Sequence, residues 1–203
     1  MKVIIIVFIV FFQSFAQQTK LKTGDFLFQS MNCGPLCDAI NEVTSGYKGL
    51  DFNHIGMVVF ENDTIFVYEA SGKEVKKTKL SDFKNYTTEP IYIGRLKRNY
   101  RKFIPEALNF IENQLGKPYD DAYLYDNGSY YCSELIYDAF LFASKKPVFE
   151  LQPMTFKSPQ NQEFFKVWQT YYDNLKIPIP EGQLGCNPGG ISTSNKIKII
   201  GVL

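Results

Sequence analysis

Cys132 and His54 are the residues whose types can supply a nucleophile and a base. His54 is the single histidine of the sequence and stands in Phe52-Asn53-His54-Ile55-Gly56-Met57-Val58-Val59. Cys132 stands in Tyr130-Tyr131-Cys132-Ser133-Glu134-Leu135-Ile136-Tyr137. A thiol of pKa about 8.5 is mostly protonated at neutral pH, and a neighbouring imidazole converts it to the reactive thiolate. Cys132 opens an apolar helical stripe, which puts it in the first turn. Unpaired N–H groups and the positive end of the helix dipole there favour a thiolate and offer donors to an oxyanion. Glu69, in Val67-Tyr68-Glu69-Ala70, follows His54 on the next expected strand. In a hairpin centred on Asn62-Asp63, positions 54 and 69 fall close to opposite, near enough for a carboxylate to fix the imidazole tautomer. Each residue also has a plainer reading: a buried structural thiol, a packed histidine, a solvent-facing strand glutamate. The residues alone leave both open.

The elements that must position these groups follow from periodicity. The sequence predicts a strand over 21–29 and a helix over 36–44, whose apolar residues Leu36, Ala39, Ile40 and Val43 share one face. Strands follow over 55–60 and 64–70, joined by the Asn62-Asp63 turn, then a weaker one over 75–79 and a helical turn at 80–83. A further strand covers 91–96. Amphipathic spacing predicts helices over 101–115 and 132–144, the first stopped by Gly116-Lys117-Pro118. A third helix is expected over 160–172, and 197–202 closes as a strand. The pattern is that of one α+β domain over 17–203, a small antiparallel sheet with helices on one side.

The N-terminus reads as a cleavable signal peptide over residues 1–16. Lys2 supplies the positive start, 3–12 is an apolar run too short to span a bilayer, and Ser14-Phe15-Ala16 suits cleavage after Ala16. The expected location is therefore secreted or periplasmic, with no stable membrane anchor after cleavage. Cleavage removes one of 22 basic residues, leaving 21 against 21 acidic ones. That balance argues against nucleic acid as a partner. Export permits disulfides among Cys33, Cys37, Cys132 and Cys186. A catalytic Cys132 must stay free, which leaves an odd three and so a further free thiol. On a helix, Cys33 and Cys37 share a face at a separation near the upper limit for a bridge. With one histidine and no Cys-x-x-Cys pair, a zinc site has poor support, and no cofactor is expected. Glu134, two residues after Cys132, points away from it on a helix and receives no catalytic role. The Asn187–Ser192 segment reads either as a wall of a groove or as a surface turn.

His-x-Gly on a strand, a glutamate on the next strand, then Gly116-Lys117-Pro118-Tyr119-Asp120 and Tyr130-Tyr131-Cys132-Ser133-Glu134-Leu135 together resemble the YiiX/YebB-like branch of the NlpC-type cysteine peptidase superfamily. That branch has a circularly permuted papain-like fold, and His54 preceding Cys132 is the permuted order. The resemblance spans about residues 21–145; 146–203 match no motif. It implies Cys132 as nucleophile, His54 as base, Glu69 as the third polar residue and Tyr119 as an oxyanion- or substrate-binding group. It implies a thiol amidase or peptidase acting on a peptide or small amide, with peptidoglycan-derived peptides among the expected substrates. Two alternatives stand beside it. One is a lipid acyl hydrolase or acyltransferase similar to lecithin:retinol acyltransferase, which the aromatic-rich composition would suit. The other is a non-catalytic protein that holds a peptide or wall fragment in the same groove.

Overall fold

The computed structural model describes residues 20–203, so the expected signal peptide and its expected cleavage site lie outside the described residues. Six strands form one antiparallel sheet: β1 (Phe26–Gln29), β2 (His54–Glu61), β3 (Thr64–Ser71), β4 (Glu74–Lys79), β5 (Tyr92–Leu96) and, at the far end of the chain, Ile197–Val202. Their order is β4-β3-β2-β1-β5 and then the Ile197–Val202 strand. The helices are α1 (Pro35–Val43), α2 (Leu80–Lys84), α3 (Ile104–Glu112), α4 (Cys132–Ser144), α5 (Lys166–Leu175) and α6 (Pro188–Ser192). Two short strands, β6 (Gln152–Pro153) and β7 (Leu184–Gly185), pair with each other, so Ile197–Val202 is β8.

Side chains alternate across the sheet as the strand period requires. One face carries Phe26, Phe28, Ile55, Met57, Tyr68 and Ala70 into a core completed by Ala107 and Ile111 of α3 and by Leu135, Ile136, Ala139 and Phe140 of α4. The other face carries Leu27, Val58, Val67 and Ile93 beneath Phe83 of α2, Leu21 and Ile91. The longer helices lie on one side, as the pattern foretold, but the second face is closed too. Helix α4 is buried on nearly every side over its first ten residues, so it runs through the interior rather than along a surface.

Several boundaries differ from the sequence expectation. The first strand starts at Phe26, because 21–25 form a turn pinned by Asp25, whose carboxylate takes two 2.6 Å bonds from Arg95. The stretch expected as one helix over 101–115 opens as a 3-10 helix, Arg98–Phe103, and is α-helical only from Ile104 to Glu112. The helix expected over 160–172 is Lys166–Leu175 instead. Gln162 takes φ of 62°, and 156–165 fold as turns and bridges that lay Phe156 against Trp168 and Tyr172. Cys33 and Cys37 are disulfide-bonded with Cα atoms 5.2 Å apart. The close approach is possible because Cys33 precedes α1 rather than lying in it: Gly34, at φ of 67°, turns the chain into the helix. Cys132 and Cys186 are the free thiols. Among the described residues no helix is long and apolar enough to cross a membrane.

Candidate active site

His54 is the first residue of β2, at the rim of the sheet, and is buried. The hairpin register sets Met57 opposite Tyr68, so Glu69 lies across from Gly56 and His54 sits one step along the diagonal rather than directly opposite. A diagonal neighbour on one face is still within reach of long side chains. Gly56 lets β3 and α2 approach β2 closely beside them; a Cβ there would lie 2.3 Å from Val67 Cγ1 and 3.2 Å from Phe83 Cε2. The result is a 2.6 Å contact between His54 Nε2 and Glu69 Oε2.

Glu69 is fully buried. A carboxylate there is tolerable only if its oxygens are bonded. Its second oxygen accepts from Thr78 Oγ1 at 2.5 Å and from the Tyr86 hydroxyl at 3.0 Å, with Lys76 Nζ 4.0 Å away. Burial works to raise its pKa, but the imidazole, Thr78 and Lys76 prevail and hold it below the usual carboxylate range. The His54 ring packs against Phe83 and Tyr86 at centroid distances of 5.7 and 6.2 Å, which fix its plane. Sequence reasoning missed Thr78, Lys76 and Tyr86. They belong to no motif and reach Glu69 only through the β3–β4 register and the turn after α2.

Cys132 is N1 of α4, as the sequence indicated, with Tyr131 as the N-cap residue. Its Sγ lies 3.9 Å from the Asn53 carbonyl, the residue just before His54. Burial pushes the His54 pKa down, yet the Cys132 side chain and Glu69, each acting as hydrogen-bond partner and as charge, raise it to about 9. Since Glu69 occupies Nε2, the nitrogen left for the thiol is Nδ1. Cys132, His54 and Glu69 are thus brought together.

Glu134 serves the helix end, not the chemistry. It is buried and accepts from the backbone N–H of Tyr131 at 3.4 Å and of Asp126 at 3.0 Å. This closes the helix start in the manner of a capping box and pins the 121–131 loop. Burial pushes its carboxyl up to about 8. Asp120 tightens the same loop by accepting from Ala122 N and Leu124 N at 2.9 and 2.7 Å. The folded loop sets Tyr119 and Tyr123 edge to face at 6.3 Å on the lip of the groove. Burial, with Tyr123 and Cys132 nearby, raises the Tyr119 pKa well above 10, so its phenol stays a hydrogen-bond donor.

The groove has a volume of about 400 Å³ and runs from Cys132 and Tyr119 between α1 and the C-terminal region. The region without a motif, 146–203, supplies most of the opposite wall: Val148, Phe149, Met154, Phe156, Trp168 and Ile191, with Glu150 and Lys196 as its charged members. Asn187, Pro188 and Gly190 line it as well, so the segment from Asn187 to Ser192 is a groove wall and not a surface turn. Two bonds fasten this wall to the nucleophile. The Ser133 hydroxyl donates to the Cys186 carbonyl at 3.0 Å, and the Cys186 N–H donates to the Tyr131 hydroxyl at 3.1 Å. Burial pushes the Cys186 thiol pKa up, keeping it inert. Among the described residues, no group of three or more His, Cys, Asp or Glu side chains is arranged to hold a metal ion.

Residues 20–200 match the family described as permuted papain-like amidase enzymes, YaeF/YiiX, C92 family. The uncharacterized protein YiiX of Escherichia coli strain K12 is 29% identical over 189 residues, which is 89% of this chain and 86% of that protein. A crystal structure of YiiX from Escherichia coli O157:H7, described as a metalloprotein, superposes with a TM-score of 0.71 at 22% identity. That alignment covers 90% of this chain and 97% of the other.

Proposed function

The chain belongs to the C92 family of permuted papain-like amidases, and from that premise we propose that it is an exported thiol hydrolase of amide bonds, with Cys132 as nucleophile, His54 as base and Glu69 as the group that orients the base. The observation that carries this is the imidazole held between a buried carboxylate at 2.6 Å and the thiol at a helix start. The Cys132 thiolate attacks the amide carbonyl and a C–S bond forms. The negative charge moves to oxygen, where the Cys132 N–H and the Tyr119 phenol receive it. The imidazolium gives its proton to the nitrogen as the C–N bond breaks and the amine leaves. Water then attacks the thioester, His54 takes its proton, and the C–S bond breaks to return the thiolate and the free acid. Export, through the signal peptide over 1–16, places the enzyme outside the cytosol, and a peptide or small amide, such as a wall-peptide fragment, is its substrate.

The experiment is iodoacetamide labelling of Cys132 against pH, followed by peptide mass spectrometry, in wild type and His54→Ala. Labelling already fast near neutral pH, and slowed by at least about tenfold in the variant, is the expected result. Equal rates in the two proteins would refute the catalytic pair and leave a protein that binds without reacting. A second reading, a lipid acyl hydrolase or acyltransferase, is favoured by the apolar wall of Val148, Phe149, Met154, Phe156 and Trp168. It separates from the first by substrate: an acyltransferase needs an acyl acceptor other than water.

A further inference from the structure

Gln29 is a buried side chain that the fold leaves unspent beside the catalytic pair. It ends β1, is fully buried, and neither its amide nitrogen nor its amide oxygen has a hydrogen-bond partner among the described residues. Its backbone is employed: Gln29 faces His54 in the β1–β2 register, and its carbonyl accepts from the Asn53 N–H at 3.2 Å. Residues directly opposite in an antiparallel pair project to the same face with Cβ atoms about 5 Å apart. A glutamine amide at that spacing spans to an imidazole ring. His54 on β2 therefore has Glu69 on the strand to one side and Gln29 on the strand to the other.

A buried amide with unmade bonds disfavours the fold, whereas an apolar side chain of the same shape does not. A buried amide left without partners calls for an explanation, and a catalytic role is one of those open to it. Resting on the thiol-hydrolase reading above, we propose that Gln29 is a positioning residue for His54, the reserve hydrogen-bond partner of the ring edge that faces away from Glu69. In the resting enzyme that edge is engaged by Cys132. Acylation consumes the thiolate, and the proton of the imidazolium leaves with the amine. The ring is then neutral, bonded to Glu69 through Nε2 and bare at Nδ1. The Gln29 amide N–H donates to that nitrogen and keeps the ring in place until water takes over the bond and is deprotonated.

The test uses 4-nitrophenyl acetate, whose burst reports acylation of Cys132 and whose slow phase reports hydrolysis of the thioester. Wild type, Gln29→Met and Gln29→Leu are compared, together with their thermal midpoints. The expected result is a burst rate within about threefold of wild type, a slow phase reduced on the order of tenfold to a hundredfold, and a midpoint equal or higher. An unchanged slow phase would overturn the proposal. So would a lowered midpoint with both phases slowed alike, or failure of both variants to fold, since the amide would then be structural. Absence of a burst in wild type itself would instead overturn the thiol-hydrolase reading, and the role of Gln29 with it.

Discussion

Replacing Glu69 by glutamine removes one charge and little volume from a site where the side chain is fully buried and bonded to His54, Thr78 and Tyr86. Thr78 and Tyr86 are hydroxyls and can accept from the new amide, so the side chain can turn its oxygen toward the ring and the pocket stays satisfied. What is lost is the charge that favours imidazolium. His54 stands at about 9 against an ordinary 6.5, even though burial acts the other way. At 1.36 kcal/mol per unit, that is about 3 kcal/mol in favour of the protonated ring. At pH 8 about nine rings in ten are then protonated, against about three in a hundred at the ordinary value. Cys132 shares with Glu69 in raising His54, so Glu69→Gln removes only part of this preference and slows iodoacetamide labelling of Cys132 at pH 7 several-fold. The same substitution alters stability in a defined window. Because the folded pKa of His54 lies above the unfolded one, its contribution is complete below about 6.5 and is lost as pH rises through about 9. Wild type should therefore lose stability across that interval, and Glu69→Gln should lose less. Labelling equal to wild type at pH 7, or an unchanged slope of stability against pH, would refute the assignment of this charge to His54.

Two further outcomes follow from the same geometry. Tyr119→Phe should lower turnover on an amide or thioester-forming substrate by about a hundredfold or more while leaving iodoacetamide labelling of Cys132 unchanged, because alkylation forms no oxyanion; equal loss in both assays would place Tyr119 in the folding of the lip instead. Gly56→Ala should cost about 1–3 kcal/mol in denaturant unfolding, because its Cβ would fall 2.3 Å from Val67 Cγ1, and should slow labelling as β2 shifts under His54; a cost under about 0.5 kcal/mol would show that the sheet relaxes freely there.

The start of α4 was legible from its apolar stripe, and the observed helix runs from Cys132 as expected; the capping role of Glu134 was not read. The β2–β3 hairpin was legible from its Asn62-Asp63 turn, whose two residues take φ of 45° and 62°. The turn at 62–63 brought His54 and Glu69 near each other; a strict count across it sets Gly56 opposite Glu69, and the looser estimate of 54 opposite 69 overlooked that two-residue offset. Thr78 and Tyr86 could not be read, since their meeting with Glu69 is set by the β3–β4 register and by Phe83 of α2 packing beneath the sheet. Aromatic residues misplaced α5: Phe164 and Phe165 fit a helical spacing with Trp168 and Tyr172, but they precede the helix and pack around its start. The groove wall was equally hidden, because Val148, Met154 and Ile191 carry no chemistry and acquire a role only by facing Cys132.

The bonds from Ser133 and Tyr131 to Cys186 also set an order of events. Cys132, His54 and Glu69 all lie before residue 133, yet the wall that shapes the groove comes from 148–156 and 185–196. Strand β8, which follows that wall, joins the sheet beside β5. A chain emerging N-terminus first therefore gains its reactive groups long before it gains the surface that selects what they meet. The surface that selects substrate is completed last, and a chain interrupted before residue 185 carries its nucleophile with only part of the groove wall.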